Sequence, residues 1–196
     1  MNRAKYIIGL ISIILIIAVI CGVFFLISHL TDRYDRMVYP KKYENLVSLM
    51  SSEYDVPEHI IYAVIRTESG FDENAVSPKG AVGLMQITPD TFDWLKTKTG
   101  EDVDGGFLSY PDVNIRYGVF FLKMLYEQFG NWETVWAAYN AGRSRVMGWL
   151  AEQNPVSQTG EKINELTEIP YSETKKYVKK VGAAAEQYMR IYYKAN

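Results

Sequence analysis

One glutamate occupies a position from which it could supply acid catalysis. Glu68 follows the most apolar helical stretch outside the first thirty residues, since residues 60–65 read IIYAVI. We expect a buried helix here, with Glu68 at its C-terminal end. The negative end of the helix dipole and an apolar environment both disfavour an ionised carboxylate, so both raise its pKa. A carboxylic acid that is protonated near neutral pH can act as a general acid, although most glutamates at helix ends are simply solvated.

Several glycine-rich and aromatic blocks follow Glu68 in an order that is difficult to attribute to chance. They are E-S-G-F (68–71), G-A-V-G-L-M-Q (80–86), A-Y-N-A-G (138–142) and I-P-Y-S-E-T (169–174). Each block alone is typical of a turn, a core methionine or a helix cap. The glycines around Met85 indicate a backbone in close approach to another group. Together, in this order, the blocks indicate a functional site.

This set of blocks resembles the lytic transglycosylase family of the soluble-lytic-transglycosylase (SLT) type, whose members have a lysozyme-like fold. The resemblance runs from about Tyr43 to about Tyr192. It implies a mainly α, lysozyme-like (α+β) domain that cleaves peptidoglycan glycan strands between N-acetylmuramic acid and N-acetylglucosamine. It also implies that the reaction needs neither a metal ion nor another cofactor.

The resemblance assigns the acid and base chemistry to Glu68. Tyr139 matches the residue whose hydroxyl approaches the catalytic carboxyl, and Asn140 supports that turn. Glu173 matches a second carboxylate in the groove, which binds the substrate and does not attack it.

Four further positions match substrate-binding residues of the family. Ser77 and Gln86 match residues that hydrogen-bond the sugar near the scissile bond. Met85 matches the apolar floor of the groove, and Ser69 adjoins the catalytic residue in the E-S pair.

The implied reaction uses one carboxylate where a typical glycosidase uses two. Glu68 would protonate the glycosidic oxygen, and the acetamido group of the sugar would stabilise the developing positive charge. The ionised carboxylate would then take the proton of the 6-hydroxyl, which attacks internally and leaves a 1,6-anhydro end. A hydrolytic muramidase that recruits Asp72 or Glu73 to hold a water is an alternative. A wall-binding scaffold without turnover and a chitin-cleaving relative are further alternatives.

The elements that position these residues are predicted to be almost all helical. Helices are predicted from Lys42 to Tyr54, from Pro57 to Ser69, from Thr88 to Gly100, from Asp112 to Gln128, from Asn131 to Gly142, from Arg143 to Ala151 and from Ser172 onward. Asn131 and Ser172 are the expected N-caps of their helices. Residues 99–110 are predicted to form a loop.

The beginning of the chain is a candidate membrane anchor. Residues Tyr6 to Ser28 carry no charge, and as a helix they would span about 35 Å, enough to cross the hydrocarbon core of a bilayer. A cleaved signal peptide has a shorter apolar region that ends in small residues, so we expect an uncleaved single-pass anchor. Basic residues flank both ends of this run, so the charges do not decide its orientation.

We therefore divide the chain into a cytoplasmic stub with its anchor (1–28), a juxtamembrane linker (29–42) and a catalytic domain (43–196). Peptidoglycan lies outside the cytoplasmic membrane, so the implied function places the domain on that side. A linker of about 14 residues reaches at most roughly 46 Å when extended. We expect action on strands near the membrane, with a cell-envelope machine as a candidate partner.

Composition argues against several other functions. The 196 residues carry a net charge of −2 without a lysine- or arginine-rich block, so nucleic-acid binding is not expected. The one cysteine, Cys21, lies in the apolar run, which excludes a disulfide scaffold. With only His29 and His59 as histidines, a metal site would depend mainly on carboxylates.

Overall fold

Helices account for nearly all regular structure in the described residues 3–153 and 165–193 of this computed structural model. Residues 1–40 and 41–196 form separate compact units. The first unit contains α1 (Arg3–Val38). The second contains α2 (Glu44–Tyr54), α3 (Glu58–Glu68), α4 (Pro89–Thr99), α5 (Pro111–Phe129), α6 (Trp132–Ala141), α7 (Arg143–Gln153) and α8 (Ser172–Tyr188). A 3₁₀ turn (Gly105–Ser109) lies within the predicted loop, and a π-helical turn (Met189–Tyr193) follows α8.

Helix α1 is long and apolar enough to cross a membrane, and none of its residues is buried within the unit. It continues ten residues beyond Ser28, to Val38, so most of the predicted linker is helical and shorter than an extended chain. Neither glycine nor proline interrupts this stretch before Pro40. An ion pair between Arg36 and Asp32, with Nε and Oδ2 3.0 Å apart, joins successive turns of the extension.

Helix α3 lies at the centre of the second unit, as its apolar sequence predicts. Every residue from Ile60 to Ile65 is buried. The helix packs mainly against α8, and α8 also packs against α6. The largest fully buried side chains of the described residues include Tyr62, Leu84, Leu122 and Tyr188. Glu68 thus ends a helix whose central residues are all buried.

Most helix boundaries follow from local capping. The side chains of Thr88 and Asn131 accept hydrogen bonds from the backbone N–H groups of Thr91 and Thr134, as N-caps do. Glycines in the left-handed conformation end α4 and α5. The prediction for Ser172 was wrong: α8 begins at this residue, and the preceding Tyr171 is an N-cap without a side-chain hydrogen bond.

The loop between α3 and α4 carries most of the first of the sequence blocks described above and all of the second, and a buried asparagine on α5 holds it in place. The described residues contain no β-strand; two isolated bridges, Val76 to Val82 and Val82 to Ile87, organise this loop. The Nδ2 of Asn114 donates to the carbonyls of Val82 and Leu108, both at 2.9 Å, and its Oδ1 accepts from the N–H of Met85 at 2.7 Å.

Two glycines allow the loop to approach α5 this closely. Gly83 has a φ of +77°, and a Cβ at this position would lie 2.5 Å from Nδ2 of Asn114. A Cβ on Gly118 would lie 2.3 Å from the sulfur of Met85. Larger residues at these two positions would therefore push the loop away from the helix.

Candidate active site

Glu68 is partly buried at the end of α3, and a tyrosine hydroxyl contacts its carboxyl group. The hydroxyl of Tyr177, on α8, donates to Oε1 of Glu68 at 2.6 Å. Burial raises the pKa of Glu68 to about 7, although the hydrogen bond from Tyr177 acts in the opposite direction. The carboxyl group is therefore partly protonated at neutral pH, as general acid catalysis requires.

Tyr177 was not among the predicted site residues. In the sequence it belongs to an apolar stripe of α8, which is typical of a core position. The available signal was its position four residues after Glu173, which places both side chains on one face of the helix. Burial, followed by the nearby Glu68, raises the pKa of Tyr177 well above that of an ordinary tyrosine. Its hydroxyl thus remains a hydrogen-bond donor at any physiological pH.

The hydroxyl of Tyr139 is hydrogen-bonded to the backbone and not to Glu68. It donates to the backbone carbonyl of Met85 at 2.8 Å, so it ties α6 to the loop between α3 and α4. Burial, followed by the nearby Glu68, also raises the pKa of Tyr139 well above the usual value. Tyr139 and Tyr177 therefore both lie near the Glu68 carboxyl, but only Tyr177 is hydrogen-bonded to it.

A cleft of about 460 Å³ opens beside Glu68. Six of the eight predicted site residues line it: Glu68, Ser77, Gln86, Tyr139, Asn140 and Glu173. They come from α3, from the loop that follows it, from α6 and from α8. The fold therefore brings together residues that lie more than a hundred positions apart in the chain.

The remaining two predicted residues, Ser69 and Met85, do not line the cleft. The hydroxyl of Ser69 donates to the carbonyl of Leu84 at 2.9 Å and accepts from the N–H of Phe71 at 3.1 Å. Met85 is fully buried and fills the space beside Gly118. Both side chains hold the loop, and the substrate-binding role that the resemblance implies for them stays a prediction.

Three polar side chains of the cleft are held by contacts that leave part of each side chain available. The Nε2 of Gln86 donates to the carbonyls of Ala75 and Gly83, and the residue adopts a φ of 49°. The Oγ of Ser77 accepts from the N–H of Ala81 at 3.0 Å, which leaves its proton to donate. The Oδ1 of Asn140 accepts from the hydroxyl of Thr174 at 2.8 Å.

The other nearby acids differ in position. Glu73 accepts a hydrogen bond of 2.7 Å from the hydroxyl of Tyr43, and Asp72 accepts one of 3.0 Å from the N–H of Asn74. Neither lines the cleft, whereas the exposed Glu173 does. The residues in 3–153 and 165–193 contain no group of three His, Cys, Asp or Glu side chains that could hold a metal ion.

Comparison with known proteins gives a consistent result. The Transglycosylase SLT domain family matches residues 45–161. The chain is 35% identical over 169 residues to the soluble lytic murein transglycosylase of Escherichia coli K12, covering 84% of this chain and 25% of that protein. It is 28% identical over 182 residues to membrane-bound lytic murein transglycosylase C of Actinobacillus pleuropneumoniae serotype 5b, covering 79% of this chain and 47% of that protein.

Solved structures agree with the predicted helical, lysozyme-like fold. The 70 kDa soluble lytic transglycosylase of Escherichia coli aligns with a TM-score of 0.68 and 32% identity, over 80% of this chain and 25% of that one. An inactive mutant of the lytic transglycosylase Slt from Pseudomonas aeruginosa aligns with the same TM-score and identity, over 79% of this chain and 25% of that one. The chain thus spans a quarter to a half of the length of these relatives. It belongs to the family of the transglycosylase SLT domain.

Proposed function

We propose that this protein is a peptidoglycan lytic transglycosylase that uses Glu68 as its acid and base. The observation that carries the proposal is the environment of this carboxyl group: it lines the cleft, burial raises its pKa to about 7, and Tyr177 donates to one of its oxygens. Relatives named lytic murein transglycosylases support peptidoglycan as the substrate.

In the first step, Glu68 donates its proton to the oxygen of the bond between N-acetylmuramic acid and N-acetylglucosamine. Oε1 accepts from Tyr177, whereas Oε2 has no hydrogen-bond partner among the described residues, so Oε2 is the oxygen that can carry the acid proton. As the bond breaks, the electron pair remains on the departing oxygen and positive charge develops at the anomeric carbon. The acetamido group of the same sugar stabilises this charge.

In the second step, the ionised Glu68 accepts the proton of the 6-hydroxyl, and that oxygen attacks the anomeric carbon. A 1,6-anhydro ring forms, no water is consumed and Glu68 regains its proton. The hydrogen bond from Tyr177 stabilises the carboxylate between the two steps, because a bond to a charged acceptor is stronger than one to a neutral acceptor. The same group can therefore act first as an acid and then as a base.

The positions of Asp72 and Glu73 argue against a hydrolase that recruits either of them. A typical hydrolase places a second carboxylate at about 5–9.5 Å from the first, to attack the sugar or to activate water. Asp72 and Glu73, the candidates nearest in sequence, lie outside the cleft and accept hydrogen bonds elsewhere. Glu173 lies in the cleft, where we propose that it binds the substrate together with Ser77, Gln86 and Asn140.

We further propose that α1 anchors the protein in the cytoplasmic membrane as a single span. Its length and composition support this proposal, as does the membrane-bound relative. Because peptidoglycan lies outside that membrane, the domain that begins near Tyr43 would face the exterior. A cell-envelope machine near the membrane remains a candidate partner.

The decisive experiment is mass analysis of the products from purified glycan strands. We expect anhydro-ended fragments, and fragments one water heavier would favour the muramidase. Glu68→Gln should lower the rate by about 10²–10⁴, the usual contribution of a general acid. Glu73→Gln is the matched control, because it changes a neighbouring acid outside the cleft. If the wild type and Glu68→Gln bind strands equally and neither cleaves them, the wall-binding scaffold is favoured. If only unsubstituted chitin is cleaved, the chitin-cleaving relative is favoured.

A compound bound in a related structure offers a second test of the site. A 70 kDa soluble lytic transglycosylase has been solved in complex with bulgecin A, and it aligns with this chain at a TM-score of 0.69 and 32% identity. We propose that bulgecin A also binds this chain, in the Glu68 cleft. Isothermal titration should detect binding that added glycan strands reduce, and unreduced binding would place the compound elsewhere.

A further inference from the structure

Helix α8 carries lysines on the side that faces away from the core. This lysine face consists of four exposed residues: Lys175, Lys176, Lys179 and Lys180. At about 100° per residue, they occupy the sector opposite the buried stripe that contains Tyr177 and Val181. In the sequence, Tyr177 and Val178 separate the two pairs, so they do not form an uninterrupted basic run. The helix brings both pairs to one face.

The ammonium groups of the lysine face have no bonded counter-charge in the described part of the chain. None of the ion pairs between described residues includes any of them. Three glutamates share a cavity of about 640 Å³ with Lys175 and Lys179 but form no ion pair with them, and Lys176 and Lys180 do not line this cavity. The four positive charges are therefore available to an external anion.

The rest of the catalytic unit has the opposite sign. Residues 41–196 carry 17 basic and 21 acidic side chains, so their net charge is −4. Of the two acids on α8, Glu173 lines the catalytic cleft and Glu186 lies six residues after Lys180. A unit with this asymmetric charge turns its basic side toward an anionic surface and its acidic sides away from it.

The catalytic unit stays close to any bilayer that α1 crosses. Beyond Ser28, α1 continues for ten residues, about 15 Å, and the three residues to Lys41 add at most about 10 Å. This limit follows from chain length alone. Within the catalytic unit, Nζ of Lys41 lies 5.2 Å from the centre of the Tyr193 ring, so the chain enters the unit beside the turn that follows α8. Lys180 precedes Tyr193 by thirteen residues, which is about 20 Å along a helix.

We infer that the lysine face binds the anionic headgroups of the membrane in which α1 is anchored. This inference rests on the proposed anchoring and adds a second point of contact to it. Several lysines beside an anionic lipid surface are attracted to it together. A lipid surface is favoured over an anionic wall polymer because the tether keeps lipid at a high effective concentration.

Such a contact would also orient the active site. Helix α8 carries Tyr177, which donates to Glu68, and Glu173, which lines the cleft. Both residues lie on the same rigid helix as the lysine face, so binding of that face to lipid would fix the direction in which the cleft opens relative to the bilayer.

The test is acetylation of lysines in the full chain, reconstituted in vesicles and read by mass spectrometry at low reagent concentration. The vesicles contain phosphatidylcholine alone or with about one third phosphatidylglycerol. The anionic lipid should slow acetylation of the lysine face about tenfold, and about 0.5 M salt should restore the rate by screening. The exposed Lys98, on α4, is the internal control and should react equally in both vesicles.

Charge-matched double variants identify the residues responsible. Lys176→Gln combined with Lys180→Gln should restore most of the acetylation of the other two lysines of the face in anionic vesicles. Lys98→Gln combined with Lys123→Gln removes the same charge from α4 and α5 and should leave the protection in place. Neither pair lines the catalytic cleft, so both variants should cleave soluble strands in detergent at the wild-type rate.

Three outcomes would overturn the inference. Equal acetylation of the lysine face in the two kinds of vesicle would do so and leave the proposed anchoring intact. A lower rate of strand cleavage in detergent by the Lys176→Gln, Lys180→Gln variant would assign the face to an anionic strand and not to lipid. A full chain that floats with neither kind of vesicle would overturn the proposed anchoring, and this inference with it.

Discussion

Replacing Tyr177 by phenylalanine separates the acid role of Glu68 from its role as a base. The substitution keeps the aromatic ring, which is buried at the contact between α8 and α3, and removes only the hydroxyl that donates to Glu68 at 2.6 Å. That hydrogen bond favours the ionised carboxylate and lowers its pKa, whereas burial raises it. Without the hydroxyl, burial acts alone and the pKa of Glu68 rises above its present value of about 7.

The size of this effect follows from the type of hydrogen bond. A bond to a charged group contributes about 1.5–3 kcal/mol, and a change of one in pKa corresponds to about 1.36 kcal/mol. The pKa of Glu68 should therefore rise to roughly 8–9 in the variant. The carboxylate that forms after proton donation loses the same stabilisation, so the maximal rate should fall by about 10–100-fold.

The assay is the pH dependence of kcat/KM on soluble glycan strands. In the wild type, kcat/KM should fall as pH increases through about 7, because Glu68 must be protonated to donate. In Tyr177→Phe, this fall in kcat/KM, which is the descending limb of the pH profile, should occur at higher pH, and the maximal kcat/KM should be lower. Tyr126→Phe is the control, since Tyr126 is exposed and stacks on Trp132. A variant with reduced rate and an unmoved limb would refute the assigned role of Tyr177.

Three further predictions concern stability. The pKa of Glu68 is about 7 in the folded state against an ordinary 4.5, so the free energy of unfolding falls as pH rises between these values. In urea unfolding, Glu68→Gln should therefore be more stable than the wild type by about 1–3 kcal/mol at pH 8 and equally stable at pH 4. Gly118→Ala places a Cβ 2.3 Å from the Met85 sulfur and should lower the free energy of unfolding by about 1–3 kcal/mol in thermal melts. The control Gly148→Ala has no atom within 4 Å of its new Cβ and should leave stability unchanged or increase it. Thr174→Val removes the hydrogen bond to Asn140 and should lower the free energy of unfolding by about 1 kcal/mol in chemical denaturation. It should also lower turnover more than the control Thr167→Val, which removes a hydroxyl bonded to Gln153.

Structural features that are set by residues close together in the sequence could be predicted, whereas features set by distant contacts could not. Helices α4, α5 and α6 begin and end close to where they were predicted because each boundary is set by a residue within one turn, such as Thr88 or Gly130. The extension of α1 was missed because its polar residues suggested a linker, although a charged pair stabilises the helix.

Features of the site that depend on contacts between distant residues were harder to predict from the sequence. Asn114 is bonded to residues 29 and 32 positions away, so its role as the support of the loop follows only from the fold. Tyr177 lies 109 positions from Glu68, and its hydroxyl gives no local pattern. Ser69 and Met85 belong to specific blocks, but their local sequence does not reveal whether they face the cleft or support it.

Because Asn114 anchors the loop that lines the cleft, we expect this loop to unfold together with the rest of the domain. The loop that carries Gln86 shares buried hydrogen bonds with α5, so it cannot open without exposing polar groups of the core. It therefore belongs to the same cooperative unit as the helices that surround it. The recess beside Glu68 is accordingly preorganised: it persists as long as the domain is folded, and substrate does not have to build it.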